Sequence, residues 1–279
     1  MGSKTIIQAK LIHVFFVFIL FHVALNVHAE ERVSEQAQIH TSDSVVALTM
    51  QNIAGNIDKR ISSMKMLANT IANDAHIQQW VNNGYAQAGE NTLLKKLGYL
   101  VNEYGLTSAS FADTNSNKYW NHEGFLRVLV PEIDTWYFAY LKSEEQNLIS
   151  VYHDQNKKRV DLYVNYRQDN GNGLSGIATS FEGVVNMLAK SSLNEHGKLF
   201  IVDSTGKIQV HHDPKVAGKV TLQQLYSEAS AKTLLTPQPF NYVDSTTSNK
   251  QYLLSSYLVS SYIPSMNWFV VAQVQGELY

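Results

Sequence analysis

The densest group of side chains able to bind something lies between residues 134 and 154. Asp134-Thr135-Trp136-Tyr137-Phe138-Ala139-Tyr140 is followed, a dozen residues on, by Tyr152-His153-Asp154. Three consecutive aromatics fit neither the strand period nor the helix period. They cannot all share one buried face, so some must look onto a cavity or an interface. Aromatic faces with a few aimed polar groups make a small-molecule pocket, and Tyr and Trp supply both shape and a donor. Aromatic faces beside carboxylates also suit a cationic amine. The competing reading places Trp136 and Phe138 in the core, with Asp134 capping a helix. The residues alone leave both readings open.

Other candidates for chemistry are weaker. Gly171-Asn172-Gly173-Leu174-Ser175-Gly176 has the spacing of a dinucleotide fingerprint. That fingerprint needs a helix starting inside it, so that amides at the helix N-terminus face pyrophosphate. Here Ile177–Ser180 reads as strand, so the segment is a hairpin loop. His211-His212-Asp213 invites a metal, but adjacent side chains on a strand point to opposite faces, and Pro214 and Gly218 mark a turn. No Gly-x-Ser-x-Gly elbow is present. Glu144-Glu145, after Lys142-Ser143, reads as a solvated helix end. The expectation is a protein that is not an enzyme and carries no metal or cofactor.

Composition agrees. The chain has 279 residues, 22 Lys+Arg against 24 Asp+Glu, a net charge of −2 and no cysteine. A nucleic-acid binder would show a basic surplus, and 44% apolar residues exclude a disordered chain. Without cysteine there is no disulfide, thiolate metal site or thiol nucleophile.

The elements that would position these residues follow an export segment. Lys4 and Lys10 precede the apolar run Leu11–Val27, which leads into Val27-His28-Ala29 and then Glu30-Glu31. This is a signal peptide or an uncleaved signal anchor over residues 1–29. Seventeen residues at about 1.5 Å each fall slightly short of a bilayer core. Either way the rest of the chain is expected to be exported. Export without cysteine suits a bacterial periplasm, reached from an inner-membrane anchor or, if the signal is cleaved, as a soluble protein.

Residues 35–75 read as one long helix, since Val46, Ile53, Ile57, Ile61, Met64, Ala68, Ile71 and Ala75 keep steps of three and four. Its length predicts that the first half projects and pairs with a second copy, giving a homodimer. Thr92–Tyr104 is a second helix, ended by Gly105. Strands follow at Ser108–Asp113, Leu148–Tyr152, Arg159–Arg167 and Leu174–Ser180, then a helix at Phe181–Ser192. A second set of strands lies at Lys198–Asp203, Lys207–His211, Lys250–Tyr262 and Asn267–Gln275, with a helix at Thr221–Ala231. The order predicts an α+β fold, a long helix followed by two modules, each an antiparallel sheet flanked by helices. An internal echo supports the doubling. Phe111-Ala112-Asp113 with Lys118, and Ile201-Val202-Asp203 with Lys207, are both strand, Asp-initiated polar turn, Lys and second strand.

This order, with Trp136-Tyr137 and Tyr152-x-Asp154, resembles the double Cache (dCache) domain, the PAS-like extracytoplasmic sensor of bacterial chemoreceptors, histidine kinases and diguanylate cyclases. His212-Asp213-Pro214-Lys215-Val216-Ala217-Gly218-Lys219 looks like a turn of that family's membrane-proximal module. The resemblance covers roughly residues 35–275. It implies a membrane-distal module over 76–192, a proximal module over 193–276, and a ligand held by Asp134, Trp136, Tyr137, Tyr152 and Asp154. It also implies a cytoplasmic output domain, and the Asp-Trp-Tyr-Phe order looks like sensors placed ahead of diguanylate cyclase (GGDEF) domains. A freestanding periplasmic Cache protein acting on a separate receptor is the alternative.

Three positions depart from the family's amino-acid-binding branch. Its Arg two residues before the Trp is here Asp134, its preceding Tyr falls near Leu129, and its later Asp falls at Ala178. Arg would clamp a ligand carboxylate, and Asp in its place would repel one. The expected ligand is therefore a small polar metabolite, an amine among the candidates, rather than an ordinary α-amino acid.

Overall fold

The computed structural model describes residues 44–154, 159–181, 197–211, 213, 215–244 and 256–275. By internal contacts the chain divides into Met50–Gly276, which holds every strand described, and a small unit of Met1–Thr49 with Glu277–Tyr279. Among the described residues no helix is long and apolar enough to cross a membrane. The apolar run Leu11–Val27 lies outside them.

Helix α1 occupies 44–72. Val46, Ile53, Ile57, Ile61, Met64, Ala68 and Ile71 are buried along it as the period foretold, Met50 joins them, and Ala75 is exposed. It stops three residues before Ala75, where the sequence placed its end. Asp74 accepts from the amides of His76 and Ile77 at 2.9 and 3.1 Å and so begins a second helix, α2 (Ala75–Asn82). A carboxylate at this position takes amides that a continuing helix would give to its own carbonyls. Lys96 binds the other oxygen of Asp74 at 2.5 Å. The part of the expected long helix before residue 44 lies outside the described residues. Helix α3 (Gln87–Tyr104) ends at Gly105, whose φ of +58° suits a residue without Cβ.

Two antiparallel sheets follow. The first contains β1 (Ser108–Asp113), β2 (Lys118–Asn121), β3 (Gly124–Val128), β4 (Asn147–Asp154), β5 (Arg159–Arg167) and β6 (Gly173–Ser180), with helix α4 (Thr135–Ser143) between β3 and β4. The second contains β7 (Gly197–Val202), β8 (Ile208–Val210), β9 (Asn241–Asp244), β10 (Ser256–Ile263) and β11 (Trp268–Gln275), with short helices α5 (Leu222–Leu225) and α6 (Glu228–Leu234) before β9. The single helix expected at Thr221–Ala231 is thus two. Thr221 starts one with a capping box to Gln224, and Ser227 caps the other. The helix expected at Phe181–Ser192 falls outside the described residues beyond Phe181.

The spatial order is β3-β2-β1-β6-β5-β4 in the first sheet and β8-β7-β11-β10-β9 in the second. Without the edge strand β3 the two orders are the same: second, first, fifth, fourth, third. The echo in the sequence marks the first hairpin of each sheet. Asp113 accepts from the amides of Asn115 and Ser116, and Asp203 from those of Thr205 and Lys207. Both are carboxylate-closed turns. The glycine-rich segment 171–176 is the β5–β6 hairpin and the start of β6, with no helix opening inside it. After β8, Asp213 donates its amide to Nδ1 of His211 and accepts from the amide of Lys215, which is the expected turn. His212 and Pro214 lie outside the described residues.

The two faces of the first sheet do different work. Ala109, Phe111, Leu162, Val164 and Ile177 are fully buried on one face. Helix α1 is bonded to that side, because Arg60 donates to Thr179 Oγ1 at 3.1 Å and to the Tyr104 carbonyl at 3.0 Å. Two residues earlier, Asp58 accepts the amide of Ser265, in the β10–β11 turn of the second sheet, at 2.7 Å. The opposite face of the first sheet meets α4. The core of the second module is Phe200, Val202, Ile208, Leu222, Leu234, Leu258, Phe269 and Val271.

Candidate ligand-binding site

Between α4 and the first sheet lies a cavity of about 670 Å³. It falls within the ~300–1,000 Å³ usual for small-molecule sites. Helix phase decides what α4 gives to it. Trp136, Ala139, Tyr140 and Ser143, in steps of three and four, line the cavity. Tyr137, one residue out of phase, is fully buried in a cluster with Ala112, Leu129, Tyr140 and Leu174. Its hydroxyl donates to Asn117 Oδ1 at 3.1 Å. The helix ends at Glu144, which is exposed and has a φ of +59°.

Strand register decides the floor. Leu148 on β4 pairs with Asn165 on β5, Asn165 with Gly176 on β6, and Gly176 with Ser110 on β1. All but Gly176 line the cavity. A Cβ at position 176 would sit 2.7 Å from Ser110 Oγ and 2.8 Å from Asn165 Oδ1. The last glycine of the apparent fingerprint is therefore there for clearance. Two residues along on β4 and β5, Ser150 and Tyr163 pair directly and also line the cavity, and Tyr152 continues the same face of β4.

The charged corner is built by β3 and the turn before α4. Asp134 sits at the N-cap position of α4 yet its side chain caps nothing there. It is buried, with one oxygen paired to Arg127 Nη2 and the other accepting the Val130 amide at 3.0 Å. Arg127, on β3, also lines the cavity, and its side chain is 53% exposed. The repulsion of an anionic ligand read from Asp134 is thus cancelled by a guanidinium seven residues upstream. The same pairing takes that carboxylate away from an amine.

The phenols here are donors that hold their protons. Burial pushes the Tyr137 and Tyr140 hydroxyls well above the usual tyrosine range. Tyr140 donates to the Gln146 carbonyl at 2.8 Å. Burial likewise raises Tyr119, which lines the cavity beside Arg127 and Asp134.

Of the residues singled out in the sequence, Asp134, Trp136 and Tyr152 come together around the cavity, and Tyr137 points into the core behind it. Asp154 closes β4 opposite Arg159, and its side chain lies outside those described. Sequence reasoning missed Arg127, Tyr119, Ser110 and Asn165. The available signal for Arg127 was a lone charge in the apolar run Gly124–Val130. Among the described residues no group of three or more His, Asp or Glu side chains could hold a metal.

No family model matches the chain. It is 22% identical over 276 residues to the methyl-accepting chemotaxis protein McpG of Pseudomonas putida, and it spans 40% of that relative's length and 99% of its own. Among solved structures, it resembles the ligand-binding domain of the Pseudomonas aeruginosa amino-acid chemoreceptor PctC in complex with GABA, with a TM-score of 0.59 and 16% identity. That match covers 84% of this chain and 99% of the other. The ligand-binding domain of Pseudomonas fluorescens CtaA in complex with L-isoleucine gives a TM-score of 0.58 at 17% identity, covering 84% and 92%. The extracellular domain described as that of the histidine kinase mmHK1S-Z2 gives 0.64 at 12%, covering 83% and 96%. The fold is that of these sensor domains, the α+β double Cache arrangement of a long helix and two antiparallel modules.

Proposed function

We propose that the chain is the extracytoplasmic small-molecule sensor of a transmembrane signalling receptor, with ligand bound in the first module, between α4 and the sheet. The observation that carries this reading is the cavity of about 670 Å³, walled by Trp136, Tyr140 and Tyr152 and floored by hydroxyl and amide side chains. Its support from outside is a fold shared with ligand-binding domains of chemoreceptors. In this reading Trp136 and Tyr152 are the stacking walls, Asp134 holds Arg127, and Tyr137 supports α4 from behind. Asp154 keeps the role of a polar contact expected from the sequence. Residues 76–192 form the distal module and 193–276 the proximal one.

A ligand that binds one arrangement of α4 and the sheet better than another shifts their populations. The far face of that sheet is bonded to α1 through Arg60, and α1 to the proximal module through Asp58. Pairing of α1 with a second copy would turn this shift into a change between protomers. Export, with or without retention of residues 1–29, places the sensor in the periplasm. The relatives named above are chemoreceptors and a histidine kinase, and they lend no support to a diguanylate cyclase as the output.

Thermal shift and calorimetry against amino acids, amines and small carboxylates test the proposal. Trp136→Ala and Tyr152→Ala are each expected to weaken binding about tenfold or more, since each removes an aromatic wall. Binding at wild-type affinity in both variants would put the site elsewhere.

A further inference from the structure

The charged corner of the cavity narrows the class of ligand, on the reading that this cavity is the binding site. Arg127 and Asp134 are the only Lys, Arg, His, Asp or Glu side chains lining it among the described residues. They are not equally available. Asp134 is 1% exposed at its side chain and spends one oxygen on Arg127 and the other on the Val130 amide. Arg127 is 53% exposed at its side chain, and among the described residues its hydrogen bonding is to Asp134 through Nη2 alone. A guanidinium carries five N–H donors in a rigid fork. The carboxylate takes one of those donors, at Nη2, and the others remain for the cavity.

What a ligand meets is therefore one planar guanidinium, the exposed member of an offset pair, with N–H donors to give. A carboxylate fits it, because two oxygens can take two parallel N–H donors in a charge-assisted pair. A phosphate dianion fits poorly. No second cationic side chain lines the cavity among the described residues, and Asp134 already offsets the first. An ammonium group alone finds no available carboxylate among the described lining. Around this anchor the walls are Trp136, Tyr140, Tyr152 and Leu148, which would take an apolar or aromatic body.

We infer that Arg127, held by Asp134, is the specificity-determining residue of the cavity and selects small organic acids that present a carboxylate on an aliphatic or aromatic body.

Matched pairs of acid and amide test this on the purified chain: phenylacetate with phenylacetamide, hexanoate with hexanamide, and 4-aminobutyrate with 4-aminobutanamide. Titration calorimetry is expected to show at least one acid binding about 10- to 100-fold more tightly than its amide, the range of a hydrogen-bonded charge pair. Arg127→Gln would leave Asp134 buried without its cation. The double variant Arg127→Gln/Asp134→Asn removes both charges at nearly constant shape and keeps the comparison on a folded protein. In it the preference for acid over amide should vanish.

Acid and amide binding equally to the wild type, or a preference that survives the double variant, overturns the inference and leaves the cavity as the site. Silence from all three acids also overturns it. Binding that survives Trp136→Ala unchanged overturns the reading of the cavity itself.

Discussion

Asp113 gathers more hydrogen bonds than its place in a turn requires. Besides the amides of Asn115 and Ser116 at 3.2 and 3.0 Å, it accepts from the hydroxyls of Tyr85 and Ser116, both at 2.5 Å. Burial pushes its carboxyl up, and these four donors outweigh burial and leave it below the usual carboxylate range. A carboxylate whose folded pKa is depressed contributes stability that is present above its unfolded value and lost as pH falls through the folded one. Asp113→Asn should therefore lower stability by about 1–3 kcal/mol at pH 7. It should also flatten the loss of stability below about pH 4, both measured by urea unfolding across pH. An unchanged acid limb would count against this role. Asp113 was legible in the sequence as the start of a polar turn, but Tyr85, 28 residues upstream, was not. Asp134 shows the same limit more sharply. Its type was plain and its charge was read alone, whereas the fold sets Arg127 against it.

At the scale of elements, what could be read was what obeys a period or a breaker. The buried stripe of α1, the Gly105 stop of α3 and strands β1 and β5 lie where periodicity places them. Strand β3 does not alternate, because it is an edge strand with Phe125, Leu126 and Val128 all exposed. Helix α4 is so aromatic that no apolar face stands out, so the direction of Trp136 against Tyr137 had to come from tertiary packing. The end of α1 was overrun because an apolar period does not register a cap, although Asp74 was available as a cap signal. Asp58 and Arg60, within a single turn of α1, bond to different sheets. Asp58→Ala should release the Ser265 amide, raising its hydrogen exchange about tenfold while leaving the β5–β6 amides unchanged. Unaltered exchange at Ser265 would remove this link from the path between modules.

Over the whole molecule, the repeated strand order means that one architecture is used twice. In the first module an added edge strand, β3, and the helix α4 enclose a cavity with a guanidinium at its corner. The doubling was legible from the strand sets and from the paired Asp turns, because local turn chemistry is written in consecutive residues. The cavity floor was not legible. It joins Leu148, Asn165, Gly176 and Ser110, from four strands, and only their register aligns them. This space is where the ligand is proposed to bind. The most direct measurement is a crystal structure of the chain with the small acid that stabilises it most in thermal shift. The expected result is ligand density between Trp136 and Tyr152, with its carboxylate within hydrogen-bond distance of Arg127. Density confined to the second module, with the space beneath α4 holding only solvent, would contradict the account.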